Sequence, residues 1–475
     1  MGAPTVVPLE PNYAVSRMMG QSVAAFVNVF AHQEPGKQTF IALGYPGEVL
    51  VAQQAAPLRG VYTDERPGGM IYAVAGSSFG TLDANGTLTT LGTVAGDDLI
   101  EWEANAYQIA IVGGGNLYVL DVPTGVFSQI TATSSGDALP QVTSIAMVNS
   151  TGILATEDSD RWYYTDLDDF RTIRSLSSAR AESRPDPLIA VRVIKGEPWF
   201  FGTRTIEPYT NSGEANFPFS RRPVNDDYGA VARDTIRNFD NSVMFLAKDA
   251  YAGGLAVVRA QGYQMARVSG HAIERLLEKC SHPERARAIT WAIEGHKFYT
   301  LITEEGSVTY DAATQLWHMT AFGNWSHGAF PPPSRWTCQA WVNGANWFGD
   351  EAGRLTRATF DVTDSAGTTL IQEVVTPYTG AVGRKVGTYA LECDLEVGLG
   401  TPTEAAQITM QKISEGGKVV SAPRSRGLGL QGRWATRVRW SRLGTARDAA
   451  FRVRVSGARM KLVQLFVEVE PRGRG

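Results

Sequence analysis

Short apolar runs closed off by turn residues recur along most of the chain, and only one stretch carries a helical period. Segments 70–75, 107–112, 152–156, 198–202, 242–246, 297–302 and 346–348 are aromatic or β-branched and are bounded by Gly, Asn or Asp, which is the pattern of short strands. Their midpoints fall near residues 72, 109, 154, 200, 245, 299 and 347, at intervals of 37 to 54 residues. A recurrence near 45 residues leaves room for three or four strands per unit, the size of a β-propeller blade. The helical exception is 271–279, where Ile273, Leu276 and Leu277 share one face.

One unit shows the order within a repeat. A strand at 107–112 is followed by a turn at Gly113-Gly114-Gly115, a strand at 116–121, a turn at Pro123-Thr124-Gly125 and a strand at 126–131. The same order returns at 297–302, 307–311 and 316–320, with Trp317 in the aromatic slot. A single blade leaves both sheet faces uncovered, so neighbours around an axis must bury them. Past Phe360 the recurrence stops and alternation becomes strict. Leu391, Cys393, Leu395 and Val397 share one face of 389–397, while Glu392, Asp394 and Glu396 share the other. Segments 437–440 and 451–455 alternate arginine with apolar residues in the same way. The expectation is an all-β chain: an N-terminal arm at 1–40 that joins the C-terminal domain, a β-propeller of about six or seven irregular blades at 41–360, and an arginine-rich β-sandwich at 361–475.

Composition narrows the function. With 475 residues, 43% of them hydrophobic, the chain can bury more than one core. Its 3 Cys, at 280, 338 and 393, are too few and too far apart for a disulfide framework or a metal knuckle. No basic region followed by an apolar stretch opens the sequence, and no run approaches a membrane span, so a chain made in a cytoplasm without a cleaved signal is expected. Charge is uneven. Residues 421–475 hold 13 Lys and Arg against 3 Asp and Glu, a net +10, which leaves −14 for the longer part. Such a split suits two surfaces with different partners, or surfaces that meet each other in an assembly.

Chemical motifs are sparse. Gly113-Gly114-Gly115 precedes a strand rather than the helix a phosphate cradle needs, so it reads as a hairpin turn. The 6 His have no zinc-like spacing, His271 and Glu274 read as a helix surface pair, and G-x-S-x-G is absent. Carboxylates cluster at Asp97, Asp98, Glu101 and Glu103, and again at Asp166, Asp168 and Asp169 near Trp162. Paired acids beside aromatics serve glycoside hydrolysis, so a polysaccharide-binding or hydrolysing propeller is the alternative reading. Asp83-Ala84-Asn85-Gly86 begins like a calcium loop and lacks its later ligands.

The basic segment is the sharpest feature. Arginines directly opposite one another on adjacent strands repel, whereas acidic rows such as Glu392, Asp394, Glu396, Glu468 and Glu470 would pair them. An internal or inter-subunit salt ladder is therefore favoured over DNA. Arg433, Arg437, Arg439, Arg442, Arg452 and Arg454, with Glu392, Asp394 and Glu396, form the candidate subunit or adaptor interface; Arg424, Arg426, Arg459 and Lys461 are the weaker candidates for DNA contact.

Several segments resemble a known family. Ala181-Glu182-Ser183-Arg184-Pro185-Asp186, Trp199-Phe200-Phe201-Gly202, Ile206-Glu207, and Gly213 through Phe217-Pro218-Phe219 are similar, in order, to the packaged-DNA stabilisation proteins of short-tailed bacteriophages, the tail hub or nozzle. The likeness continues through Val268-Ser269-Gly270-His271-Ala272-Ile273-Glu274, Gly295-His296-Lys297-Phe298-Tyr299, Tyr310-Asp311 and Leu316-Trp317-His318. Gly36-Lys37 and Gly44-Tyr45-Pro46-Gly47 fit it less specifically. The resemblance implies a virion protein in a hexameric ring that continues the DNA channel below the portal and adaptor. It implies retention of the packaged genome, transient sequence-independent contact with double-stranded DNA, and attachment of tailspikes or fibres and of a needle or plug. It implies no catalytic residue, cofactor or metal.

Overall fold

The computed structural model describes residues 4–15, 23–33, 40–66, 68–181, 186–214, 218–380, 385–399 and 405–472. Parts of the segments that carry the family resemblance, at 36–37, 182–185 and 215–217, lie outside the described residues.

The periodic apolar runs are the second strands of seven four-stranded antiparallel meanders: Ile71–Ala75, Gln108–Gly113, Thr151–Thr156, Glu197–Gly202, Ser242–Asp249, His296–Thr303 and Ala345–Asp350. They stand out in the sequence because neighbouring blades cover both of their faces; all six residues of Gln108–Gly113 are buried. The first strands line the axis: Leu58–Thr63, Glu101–Ala104, Val142–Val148, Leu188–Ile194, a split strand Tyr228–Ala230 and Arg237–Phe239, Arg287–Ile293, and Trp336–Val342. Successive cores sit between blades; Val74, Phe79, Ile109 and Ile111, for example, fill the gap between the first and second. Gly114 and Gly115 both take positive φ, at 59° and 72°, in the tight turn that joins two of these strands. Helix His271–Leu277 buries Ile273, Leu276 and Leu277 against the fifth and sixth blades.

Closure of the ring is non-local. The seventh blade takes its outer strand, Gly47–Gln53, from the N-terminal part of the chain, paired antiparallel with Arg354–Thr359 from Gln53↔Arg354 to Gly47↔Thr359. Thr337 Oγ1, on the inner strand of that blade, donates to the Leu58 carbonyl of the first at 2.6 Å.

Beyond the propeller lies a two-sheet sandwich. One sheet runs Val29–His32, Ile41–Gly44, Lys461–Arg472, Lys385–Leu395 and Val438–Ser441, with Pro4–Val7 added to Lys461–Arg472. The other grows from the sixth blade: Trp317–Thr320, Val23–Val27, Gln372–Val375, Asp448–Ser456, Gln407–Ser414, and then Arg424–Gly427 as an outermost strand. Leu391, Cys393, Trp440, Phe451, Val453 and Leu465 meet in the core between them. Both parts of the expected all-β architecture are present, and the N-terminal strands contribute to each.

Candidate functional site

Strict alternation on Val438–Ser441 and Asp448–Ser456 turns every second side chain away from the sandwich core, and those positions hold the arginines. Their partners differ with position. Arg437 grips Glu392 with two bonds, Nε to Oε1 at 2.7 Å and Nη2 to Oε2 at 2.6 Å, and these bonds hold the Glu392 carboxyl below its usual range. Arg439 Nη2 meets both oxygens of Glu468 at 2.7 and 2.8 Å, and Lys461 Nζ lies 2.6 Å from Glu396. Asp394 accepts from Gln464 Nε2 at 3.3 Å.

Arg452 and Arg454 face the propeller instead. Arg454 is buried, donates Nε and Nη2 to Glu373 Oε2 at 2.9 and 2.6 Å and Nη1 to the Trp325 carbonyl at 2.8 Å, and stands over the Trp325 ring. Arg452 Nε lies 3.3 Å from the other oxygen of Glu373. Arg459 forms a second clasp between the two parts. It pairs with Glu294, on a turn of the sixth blade, at 2.9 and 2.5 Å, donates to the Gly44 carbonyl at 2.8 Å and covers the Phe360 ring.

The remaining candidates form no ion pair among the described residues. Arg424 Nη1 and Arg426 Nε reach only carbonyls, those of Ser441 and Arg439, at 2.7 and 3.3 Å. Arg433 and Arg442 are exposed, Arg442 at a positive φ of 58° where Val438–Ser441 ends. The structure thus divides the basic segment into arginines consumed in bracing the sandwich and its junction, and a smaller uncompensated group at the sandwich edge. Sequence spacing gives no hint of Glu373, the partner of Arg452 and Arg454, because it lies about 80 residues away on another strand.

The acidic cluster at 97–103 converges on the propeller axis. Arg192 of the fourth blade donates to Glu101 of the second at 2.5 and 3.1 Å, and to Ser144 of the third at 2.9 Å. Arg233 of the fifth reaches Asp98 at 3.2 Å, the Leu99 carbonyl at 2.6 Å and the Thr143 carbonyl at 3.1 Å. Arg59 donates to Asp98 Oδ1 at 2.9 Å. Burial pushes the Glu101 carboxyl up, but Arg192 and Arg233 outweigh it and hold it at about 2. Burial wins at Glu103, which is pushed up to about 7. Of the second acidic cluster, Asp166 pairs with Arg174 at 2.8 Å, and Asp169 accepts from Gln108 at 3.0 Å and from Thr172 at 2.6 Å. Asp83 is a turn residue that accepts from the amides of Asn85 and Thr87, both at 2.8 Å. Among the described residues no group of three or more His, Cys, Asp and Glu is placed to hold a metal ion.

One polar chain joins residues that no sequence spacing relates. His32 Nδ1 lies 2.8 Å from His296 Nε2, and His296 Nδ1 lies 2.8 Å from Asp311 Oδ2, so the first sheet of the sandwich is tied to the sixth blade. Nearby His318 is fully enclosed with Tyr45 OH at 2.5 Å, and burial lowers it to about 3, which keeps it neutral.

Comparison with known proteins adds two family matches. The family described as bacteriophage P22 Gp10, beta-propeller, matches residues 26–359, and that described as bacteriophage P22 Gp10, beta-sandwich, matches residues 372–470. A search of curated proteins gives no match. Similar solved structures include virginiamycin B lyase from Staphylococcus aureus, 12% identical over 66% of this chain and 98% of that one, with a TM-score of 0.43. The extracellular domain of a hybrid two-component system from B. thetaiotaomicron is 10% identical over 73% of this chain and 43% of that one, with a TM-score of 0.44. The computationally designed Ika8 protein is 10% identical over 66% and 99%, with a TM-score of 0.36.

Proposed function

Because the chain belongs to the bacteriophage P22 Gp10 family through both propeller and sandwich, and so is a structural protein of the phage tail, we propose that copies of it close into a ring that continues the DNA channel below the portal and adaptor. In this reading the ring, a hexamer, retains the packaged genome, carries tailspikes or fibres, and receives a needle or plug. The role is passive. DNA contacts it transiently and without regard to sequence.

The observation that carries the reading is the ordered match of both halves over nearly the whole chain. The axis of the propeller supports it. Arginines crossing between the second, fourth and fifth blades bridge that axis, which leaves no passage for a duplex whose major groove alone is about 12 Å wide. A conduit must then lie between copies. In each copy the propeller, whose first strand in the chain is Gly47–Gln53, supplies the bulk, and the sandwich, built from 361–475 together with the N-terminal strands up to Ile41–Gly44, docks on subunit or adaptor. Rings close through head-to-tail contacts, and unlike charges on the two ends of one chain suit them.

Particles made with and without the chain test the proposal. Imaging and DNA content are expected to show tails truncated below the adaptor and heads that lose their genome when the chain is withheld. Complete, DNA-filled particles lacking it would overturn the proposal.

A further inference from the structure

The uncompensated arginines occupy the end of the molecule farthest from the propeller. Counting outward from Trp317–Thr320, Arg424–Gly427 is the fifth strand on, roughly 24 Å away at the usual strand spacing. Val438–Ser441 is likewise the last strand of its own sheet. Residues 421–445 contain six arginines and no carboxylate, and two of the six, Arg437 and Arg439, are neutralised by Glu392 and Glu468. Trp434 stands among the rest at 65% exposure. Its turn is pinned rather than loose: Gly398 N donates to the Leu428 carbonyl at 2.8 Å, Gly432 N to the Gly398 carbonyl at 3.1 Å, and Thr436 Oγ1 to the Arg433 carbonyl at 3.2 Å. An exposed tryptophan set among arginines on a fixed turn has the composition of a protein-binding hot spot. A duplex, whose bases are stacked away, offers nothing for the indole to stack on.

The matching surface lies on the opposite side of the same chain. In a seven-blade ring the sandwich extends from the sixth blade, and the point facing it across the axis falls between the second and third. There the outer strand Asp169–Arg180 pairs Ile173 with Thr165 and Ser178 with Tyr163, so residues 174–177 bulge out of the sheet. Leu176, at the crest, is 94% exposed. The bulge is braced from beneath: Ser175 Oγ donates to Asp137 Oδ2 at 2.5 Å, Ser134 N to the Ile173 carbonyl at 2.8 Å, and Arg174 Nη2 to Asp166 at 2.8 Å. Exposed Val126 and Leu167 stand on the neighbouring strand and turn. The stretch of chain that carries them, residues 121–180, has eight carboxylates against four arginines, and pairing Asp166 with Arg174 and Asp160 with Arg180 leaves it net negative. A bulge is a placed feature rather than a defect, and a rigid apolar knob in an acidic field costs little to order on binding.

Resting on the ring reading above, we infer that the Trp434 tip of one copy docks on the Leu176 bulge of the next. The occupant of each surface is a second copy of this chain. Two unlike patches on opposite sides of one molecule make a head-to-tail contact that propagates until rotation closes it, and the net-positive tip meets the net-negative rim.

The test is cross-linking in assembled tails. A chain carrying both Trp434→Cys and Leu176→Cys, treated in purified particles with a short bifunctional maleimide, is expected to give a ladder of multimers ending at the closed ring. Either single variant, and the unaltered chain with its three native thiols, should give none. Tails that hold several copies yet show no ladder would overturn this contact while leaving the ring intact; tails that hold one copy would overturn the ring itself. Independently, Leu176→Asp should unfold at the same temperature as the unaltered chain and lose at least tenfold in incorporation into tails. Normal incorporation of that variant would contradict the inference.

Discussion

Asn28 and Ala321 are joined through both backbone polar atoms of the alanine: Ala321 N donates to Asn28 Oδ1 at 2.8 Å, and Asn28 Nδ2 donates back to the Ala321 carbonyl at 3.0 Å. The second Nδ2 hydrogen reaches the Ile371 carbonyl at 2.9 Å. One buried amide, on a residue at φ 53° that Asn tolerates better than most, therefore ties the end of the sixth blade to the start of the sandwich. Asn28→Ala leaves a buried donor and two carbonyls without this partner, and is expected to cost about 3 kcal/mol. Equilibrium denaturation checks this. Separation of propeller and sandwich unfolding into two transitions is the further sign expected.

Glu373 lies between Arg452 and Arg454 in the same junction, while Arg437 and Glu392 pair on the open face of the sandwich. Their consequences for stability should differ sharply. Glu373→Ala strands two enclosed guanidinium groups and is expected to destabilise by about 3 to 5 kcal/mol. Arg437→Ala leaves its partner in solvent and should not move the unfolding midpoint. Denaturant titration of the two variants side by side measures the contrast.

Glu103 gives the propeller axis a pH signature. Its folded-state value of about 7 lies above the ordinary 4.5, so between these values the folded chain holds a proton that the unfolded chain releases. The stability it contributes is fully present below pH 4.5 and is lost as pH rises through about 7, a change of about 3 kcal/mol. Glu103→Gln should remove this slope and raise the unfolding midpoint at pH 8, as thermal unfolding across pH 4 to 9 would reveal.

DNA binding should be weak and shallow in its salt dependence. With only Arg424, Arg426, Arg433 and Arg442 free of ion pairs among the candidate residues described, about four phosphates can be neutralised, which sets a log–log slope no steeper than about −4. A salt titration of duplex binding measures it. In the isolated chain, where no neighbouring copy covers the tip, replacing those four arginines should abolish the residual binding, while Arg437→Ala and Arg439→Ala leave it nearly unchanged.

The propeller was legible because seven doubly covered second strands, such as Gln108–Gly113, read as unbroken apolar runs at regular intervals. Ring closure by Gly47–Gln53 was not, since its partner Arg354–Thr359 lies some 300 residues on and strand pairing leaves no local mark. Alternation at Val438 and Trp440 announced that Arg437 and Arg439 face away from the core. It could not say that Arg454, with the same alternation, faces Trp325 and is buried, because one sheet continues into the sixth blade. The His32–His296–Asp311 chain was invisible for a related reason: each of its links joins separate strands.

As a passive ring element, this chain leaves the channel between copies rather than within one. Image reconstruction of DNA-filled tails would locate that channel. Several copies are expected around one opening wide enough for a duplex, with Arg192, Arg233 and Glu101 closing the axis of every propeller. A single copy per tail, or duplex density running through a propeller's own axis, would contradict this.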